Sequence, residues 1–167
     1  MARNLTSAVS SVTIHDKLMG MYTVFHLDVR LRDDLPDNIF HLLNHMLNGS
    51  GQYPYALPEH PLFETTRWDY MLCSNNSYAS CVNQLVRREF YGIRLCVQSS
   101  FKNYDDEITK FLDWLAPYAD PDMDNNTFVG YQRYEEDRYP DPIMYTKLPD
   151  GEPKFVINRT LNYNDQR

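Results

Sequence analysis

His41 and His45 stand four residues apart, the spacing at which two imidazoles on one helix face can share a zinc ion. The glutamate that would follow the first histidine of a hydrolytic zinc motif is replaced by Leu42. Ile39, Leu42 and Met46 define the apolar stripe of the same segment, so both histidines are expected on its solvated side, and no metal is assigned. Cys73, Cys81 and Cys96 are odd in number and contain no C-x-x-C pair, which points to reduced thiols rather than a disulfide framework or a zinc site. Each lies in or beside a predicted strand, where a free cysteine packs as a small apolar residue. A thiol nucleophile would also need a histidine and an orienting group brought together in space, which spacing alone does not supply. Asp105, Asp106 and Glu107 fall at a helix start, where the dipole favours negative charge without any cation. The sequence has no phosphate-cradling glycine loop, G-x-S-x-G elbow or H-E-x-x-H motif, so an enzyme is disfavoured and no cofactor is implied.

The most informative constellation is a polar one set by alternation. From Tyr22 to Arg32, Phe25, Leu27, Val29 and Leu31 fall on one side and His26, Asp28 and Arg30 on the other, the period-two pattern of a half-buried strand. In a later strand Ile93, Leu95 and Val97 alternate with Arg94, Cys96 and Gln98. If strand register brings them into line, Arg67 or Asp69 and Tyr131 or Arg133 join the same polar side. His26, Asp28, Arg30, Arg67, Arg94, Gln98, Tyr131 and Arg133 are therefore the candidate binding residues. Such a side is commonly a solvated face laced with cross-strand ion pairs. Its alternative use is recognition, because Tyr and Arg are enriched where protein interfaces concentrate their binding energy. On either reading Arg30 and Arg94 are expected to be solvated and to accept charge reversal without loss of stability.

The elements that must position these residues follow from caps, breakers and periods. Asp33 and Asp34 offer an N-cap before Leu35-Pro36, Asn48-Gly49 supplies a left-handed stop, and Ile39, Leu42, Leu43 and Met46 give the helical stripe between them. Residues 50–62 hold Pro54, Pro58, Pro61 and Gly51 and read as a long loop anchored by Tyr53 and Tyr55. Arg67–Cys73 and Cys81–Arg88 flank Ser74-Asn75-Asn76-Ser77 and are predicted to form a hairpin. Asn103 caps a second helix, whose stripe is Ile108, Phe111, Leu112 and Leu115 and which Pro117 ends. Extended segments at 127–136, 142–146 and 154–159 follow, the last two joined through Pro149-Asp150-Gly151. Residues 1–20 read as an arm without periodicity and 148–167 as a terminal hairpin and tail. The resulting β-α-β-β-β-α-β-β-β order predicts one α+β domain: a mainly antiparallel sheet with two helices packed on one face and the other face uncovered.

Bulk properties narrow the partners. A chain of 167 residues carries a net charge of −7, which disfavours direct contact with nucleic acid or an anionic membrane and favours a partner with a basic surface. The first residues lack an apolar run of signal-peptide length, and no stretch has the length of a membrane span, so the protein is expected to remain in the cytoplasm where it is made.

Three segments carry a family resemblance: Arg67-Trp68-Asp69-Tyr70-Met71-Leu72; the run from Phe101-Lys102-Asn103-Tyr104-Asp105 to Phe111-Leu112-Asp113-Trp114-Leu115; and Phe128-Val129-Gly130-Tyr131-Gln132-Arg133-Tyr134-Glu135-Glu136. Over residues 22–145 the sequence resembles a group of small proteins of tailed bacteriophages and prophages that carries no assigned activity. The loop around Pro54 and the tail after Lys147 are additions to that pattern. The resemblance implies an accessory protein acting in the cytoplasm of a host bacterium. Joined to the acidity and the missing catalytic motifs, it predicts a non-enzymatic inhibitor of a host factor, foremost a component of an antiviral defence system such as a CRISPR effector. The uncovered sheet face would meet that target or a second copy of the chain. A second reading is a binder that sequesters a nucleotide signal, with Arg94, Arg67 or Arg133 on phosphates and a Tyr or Trp68 stacked on the base. An enzyme whose site is assembled only in space is a third.

Overall fold

The computed structural model of the protein describes residues 21–49, 52–75, 82–88 and 92–159. The expected arm at 1–20, the start of the loop at 50–51, Cys81 and the end of the tail at 160–167 lie outside them. Six strands form one sheet: β1 (Thr23–Leu31), β2 (Val82–Arg88), β3 (Gly92–Phe101), β4 (Thr127–Tyr134), β5 (Asp141–Lys147) and β6 (Pro153–Ile157). Their order is β2-β3-β1-β4-β5-β6, and every neighbouring pair is antiparallel. Two helices, α1 (Asp37–Asn48) and α2 (Glu107–Leu115), complete an α+β fold.

The alternation of β1 is realised in full, with Phe25, Leu27, Val29 and Leu31 buried and Arg30 exposed on the reverse side. Those four share one core with Ile93, Leu95 and Val97 of β3, the α1 stripe Ile39, Leu42, Leu43 and Met46, and the α2 stripe Ile108, Phe111, Leu112 and Leu115. Both helices therefore cover the same sheet face. No helix among the described residues is long and apolar enough to cross a membrane.

The helix ends follow the sequence with two local differences. Gly49 closes α1 in the left-handed conformation (φ 58°), its N–H donating to the His45 carbonyl at 3.0 Å. At the start of α1 no side chain caps, because the Asp34 carboxylate is held by the Arg32 guanidinium at 2.5 and 2.7 Å and Pro36 occupies the cap position. At α2 the cap position is Asp106, left-handed and without a side-chain cap bond, so the helix begins only at Glu107; Asn103 lies three residues before the cap, yet its Oδ1 accepts from the Ile108 N–H at 3.0 Å. After Leu115 the chain tightens into the 3-10 turn Ala116–Tyr118, which contains Pro117.

The predicted strand at Arg67–Cys73 is not one. Met71 N–H donates to the Arg67 carbonyl at 3.0 Å and Cys73 N–H to the Tyr70 carbonyl at 3.2 Å, so the segment winds in successive turns. Met71 and Leu72 are both fully buried, which consecutive residues of a half-buried strand cannot be because they face opposite sides. The hairpin partner of β2 is β3 instead. At the seam between β1 and β4, Gly130 is required by space: a Cβ there would run into the His26 backbone carbonyl, so only glycine allows the two strands to close.

Candidate functional site

Strand register brings together seven of the eight predicted residues. Arg30 pairs with Arg94, Asp28 with Cys96 and His26 with Gln98 across β1 and β3, while His26 pairs with Tyr131 and Val24 with Arg133 across β1 and β4. These positions alternate with the buried core residues, so they lie on the face without helices. Arg67, expected on the same face, is the exception. It sits on the helix side, its Nη1 3.1 Å from Glu107 Oε1 and 3.2 Å from Asp105 Oδ2. Glu107, the first residue of α2, is fully buried, and Arg67 is the cation that neutralises it.

Arg30 and Arg94 on the outer face are exposed and ion-paired, and the pairs bear on the expected tolerance of charge reversal. Arg30 and Arg94 are opposed in register, and each turns to a different carboxylate. Arg94 makes a two-pronged contact with Asp28 at 2.6 and 2.8 Å. Arg30 reaches the buried Asp120 at 3.0 Å and Asp33 at 3.8 Å. Asp120 is carried there by a short ladder beside β1, in which its N–H donates to the Arg30 carbonyl at 3.0 Å and Arg32 N–H donates to the Tyr118 carbonyl at 2.9 Å. Reversing either arginine would thus leave a carboxylate facing a carboxylate, so the two are not free surface charges.

The hydrogen bonds from Arg94, reinforced by its charge, hold the Asp28 carboxyl below its ordinary value of 3.8 against the opposing effect of partial burial. A depressed folded-state pKa stabilises the fold above the unfolded value, and that contribution is lost as pH falls through the folded one. The pair should therefore act fully above about pH 4 and fade below it. Urea midpoints measured from pH 6 down to pH 2 are expected to fall less steeply across this acid window in Arg94→Gln than in the wild type; parallel acid limbs would remove the pair from the stability of the fold.

His26 and Tyr131 stack in parallel, ring centroids 5.3 Å apart and planes 5° from each other. The face is not uniformly open, since His26 Nδ1 is closed off without a partner and Ser100, opposite Val24, is fully buried. Cys96 lies on this face half-buried, and burial together with the nearby Asp28 charge pushes its thiol above the ordinary value. That is the setting of an inert thiol rather than a nucleophile.

Sequence reasoning missed the apolar part of this face. A β-bulge between Phe128 and Gly130 shifts the β4 register, so that Phe128, Met144 and Val156 align in one row across β4, β5 and β6. Phe128 is 58% exposed, and Lys154, two residues from Val156, and Arg133, toward the other end of β4, are exposed cations without an ion-pair partner among the described residues. The single extra residue, Val129, breaks the period that would have placed Phe128.

On the helix side, rings form a chain of contacts: Tyr55 to Tyr53 (5.5 Å), Tyr53 to His45 (5.1 Å), His45 to Trp68 (5.9 Å), Trp68 to Phe63 (5.3 Å) and Phe63 to Trp114 (5.4 Å). His45 is therefore a half-buried member of this chain, not a solvated neighbour of the exposed His41 as its spacing suggested. Trp68 and Arg67 lie with these helix-side groups, away from Arg94 and Arg133, so the residues considered for a nucleotide are not assembled at one place. Among the described residues, no group of three or more His, Cys, Asp or Glu is placed to hold a metal ion. The chain matches no protein-family model, no curated protein and no solved structure.

Proposed function

We propose that this chain is a non-enzymatic binding protein, encoded by a phage, that inhibits a host factor of antiviral defence through its helix-free sheet face. The observation that carries the recognition surface is the row Phe128, Met144 and Val156, an apolar strip with the exposed Lys154 at its β6 end, on the face that also carries the Tyr131–His26 stack and the exposed Arg133. Aromatic residues, Met and Arg on a flat, partly desolvated patch are the composition of interface centres, with charged groups at the rim. The net charge of −7 steers the protein at long range toward a basic partner, while Arg133 and Lys154 call for a carboxylate at the point of contact. The phage origin and the defence target rest on the family resemblance of residues 22–145 and on the acidic balance.

Tagged protein used as bait in phage-infected host lysate is expected to retain one host protein that Phe128→Asp combined with Arg133→Glu loses, while Tyr55→Asp on the helix side retains it. Both substituted sites are exposed, so melting temperatures should stay close to wild type. Recovery that is indifferent to the Phe128/Arg133 variant would remove the sheet face from recognition, and a captured factor whose activity the purified protein leaves unchanged would remove inhibition.

A further inference from the structure

The sheet ends in β2 on one side and β6 on the other, and a cleft runs beside β6, whose outer edge has no backbone partner among the described residues. β6 is the last strand in the order, and its partner β5 takes only half of its backbone groups. Asn158 N–H donates to the Pro142 carbonyl at 2.9 Å and Leu148 N–H to the Glu152 carbonyl at 2.8 Å. Even-numbered residues of this strand therefore bond inward to β5, and the alternation of an antiparallel ladder turns the N–H and C=O of Phe155 and Ile157 outward. Lys154, Phe155, Val156, Ile157 and Arg159 border a cleft of about 420 Å³ whose other wall is α2, through Asp106, Thr109, Leu112 and Asp113, and which reaches Gln132 of β4 at its inner end. Consecutive residues of a strand can all line one cleft only if it follows the strand edge, where the unpaired backbone lies.

We propose that this cleft binds an extended, basic peptide segment of a partner protein, which adds to the sheet as a seventh strand beside β6. The outward N–H and C=O groups specify an extended backbone. Leu112 and Ile157 offer apolar contact for a side chain directed inward. Asp106 and Asp113 place exposed carboxylates on the α2 wall, whereas Lys154 and Arg159 stand on the β6 side, so lysine or arginine is selected on the side of the peptide that meets α2, in keeping with the net charge of −7. A second copy of this chain fits less well. Two β6 strands paired about Phe155 would set Pro153 opposite Ile157, and proline has no N–H for the Ile157 carbonyl. The cleft shares Val156 with the end of the Phe128 row, but Phe128 itself lies two strands away on β4 and takes no part in it.

The test uses the full chain and a fluorescein-labelled hexapeptide of alternating Lys and Val, read by fluorescence polarisation. The Lys-Val peptide is expected to bind saturably, the matching Glu-Val peptide at least about tenfold more weakly, and a Lys-Val peptide N-methylated at alternate amides about tenfold more weakly again. Ile157→Pro removes only an outward N–H and should lower affinity about tenfold with the circular dichroism spectrum retained, since edge strands tolerate proline. Asp113→Lys, at an exposed helix position, should cancel the preference for Lys-Val over Glu-Val and serves as a second probe if Ile157→Pro fails to fold. Phe128→Asp should change none of these values. Equal binding of the N-methylated peptide, or none of the Lys-Val peptide, overturns the proposal. So does a chain ending at Arg159 that binds at least about tenfold more tightly, which would assign the cleft to the protein's own tail, or a dimer in solution that Ile157→Pro dissociates.

Discussion

Arg67→Met is expected to lower the unfolding free energy by about 3–5 kcal/mol, because it removes the counter-charge of a carboxylate that has no access to water. Glu107 is fully buried at the first position of α2, and besides Arg67 its carboxylate accepts a hydrogen bond at 3.0 Å from the Asp105 N–H. One backbone donor does not replace a guanidinium in a site of low dielectric. The pair also joins two distant stretches, the turn segment after Phe63 and the start of α2, so its loss should loosen both. The double variant Arg67→Met, Glu107→Met should recover most of the loss, since replacing a buried ion pair by packed apolar groups is often neutral or better. Urea unfolding followed by circular dichroism measures both variants. A loss below about 1 kcal/mol for Arg67→Met, the range of exposed ion pairs, would show that Glu107 finds water or another donor.

Leu27→Ala should cost about 2–5 kcal/mol, at the upper part of that range. Leu27 is fully buried near the middle of β1, opposite Val97 on one side and Gly130 on the other. Neither neighbour can move to fill the cavity: Val97 is held in β3, and Gly130 already has the β1 backbone against its Cα. Leu112→Ala serves as the comparison. It is almost equally buried, but it borders the cleft beside β6, where side chains can shift or water enter, so its cost should lie at the lower end of about 2–5 kcal/mol. Equal losses at the two sites would mean that the centre of the sheet relaxes as readily as its margin.

The parts of this fold that could be read from the sequence are those in which one period acts alone. β1 and β3 alternate without interruption, α1 and α2 each keep one apolar stripe, and Gly49 marks its helix end, so the helix-covered face and seven of the eight candidate residues followed directly. Arg67 failed because Trp68, Tyr70 and Leu72 mimic strand alternation while the buried pair Met71-Leu72 contradicts it, and the stronger-looking pattern misled. The ion pairs of Arg30 and Arg94 depend on which carboxylates arrive from elsewhere, Asp120 from beyond α2 and Asp28 by a diagonal contact, and no local period encodes that. The Phe128 row was hidden by one inserted residue, and the cleft by strand order, since a sequence does not state which strand ends the sheet.

That order has a consequence for how the chain reaches its fold. β1 is the earliest of the six strands yet sits inside the sheet, between β3, which starts at Gly92, and β4, which starts at Thr127. The hairpin of β2 and β3 and the meander of β4, β5 and β6 can each form from neighbouring residues, and only β1 fuses them. During synthesis at about 5–20 residues per second, this strand, apolar on one side, has one edge unfilled for seconds after the other has closed. Contacts of such long sequence separation slow folding and leave a bare strand open to pairing with the wrong chain. Until β4 emerges with Gly130 in place to seal the seam, the half-made protein is at its most vulnerable to aggregation, and its yield in the cell depends on how β1 is sheltered in that interval.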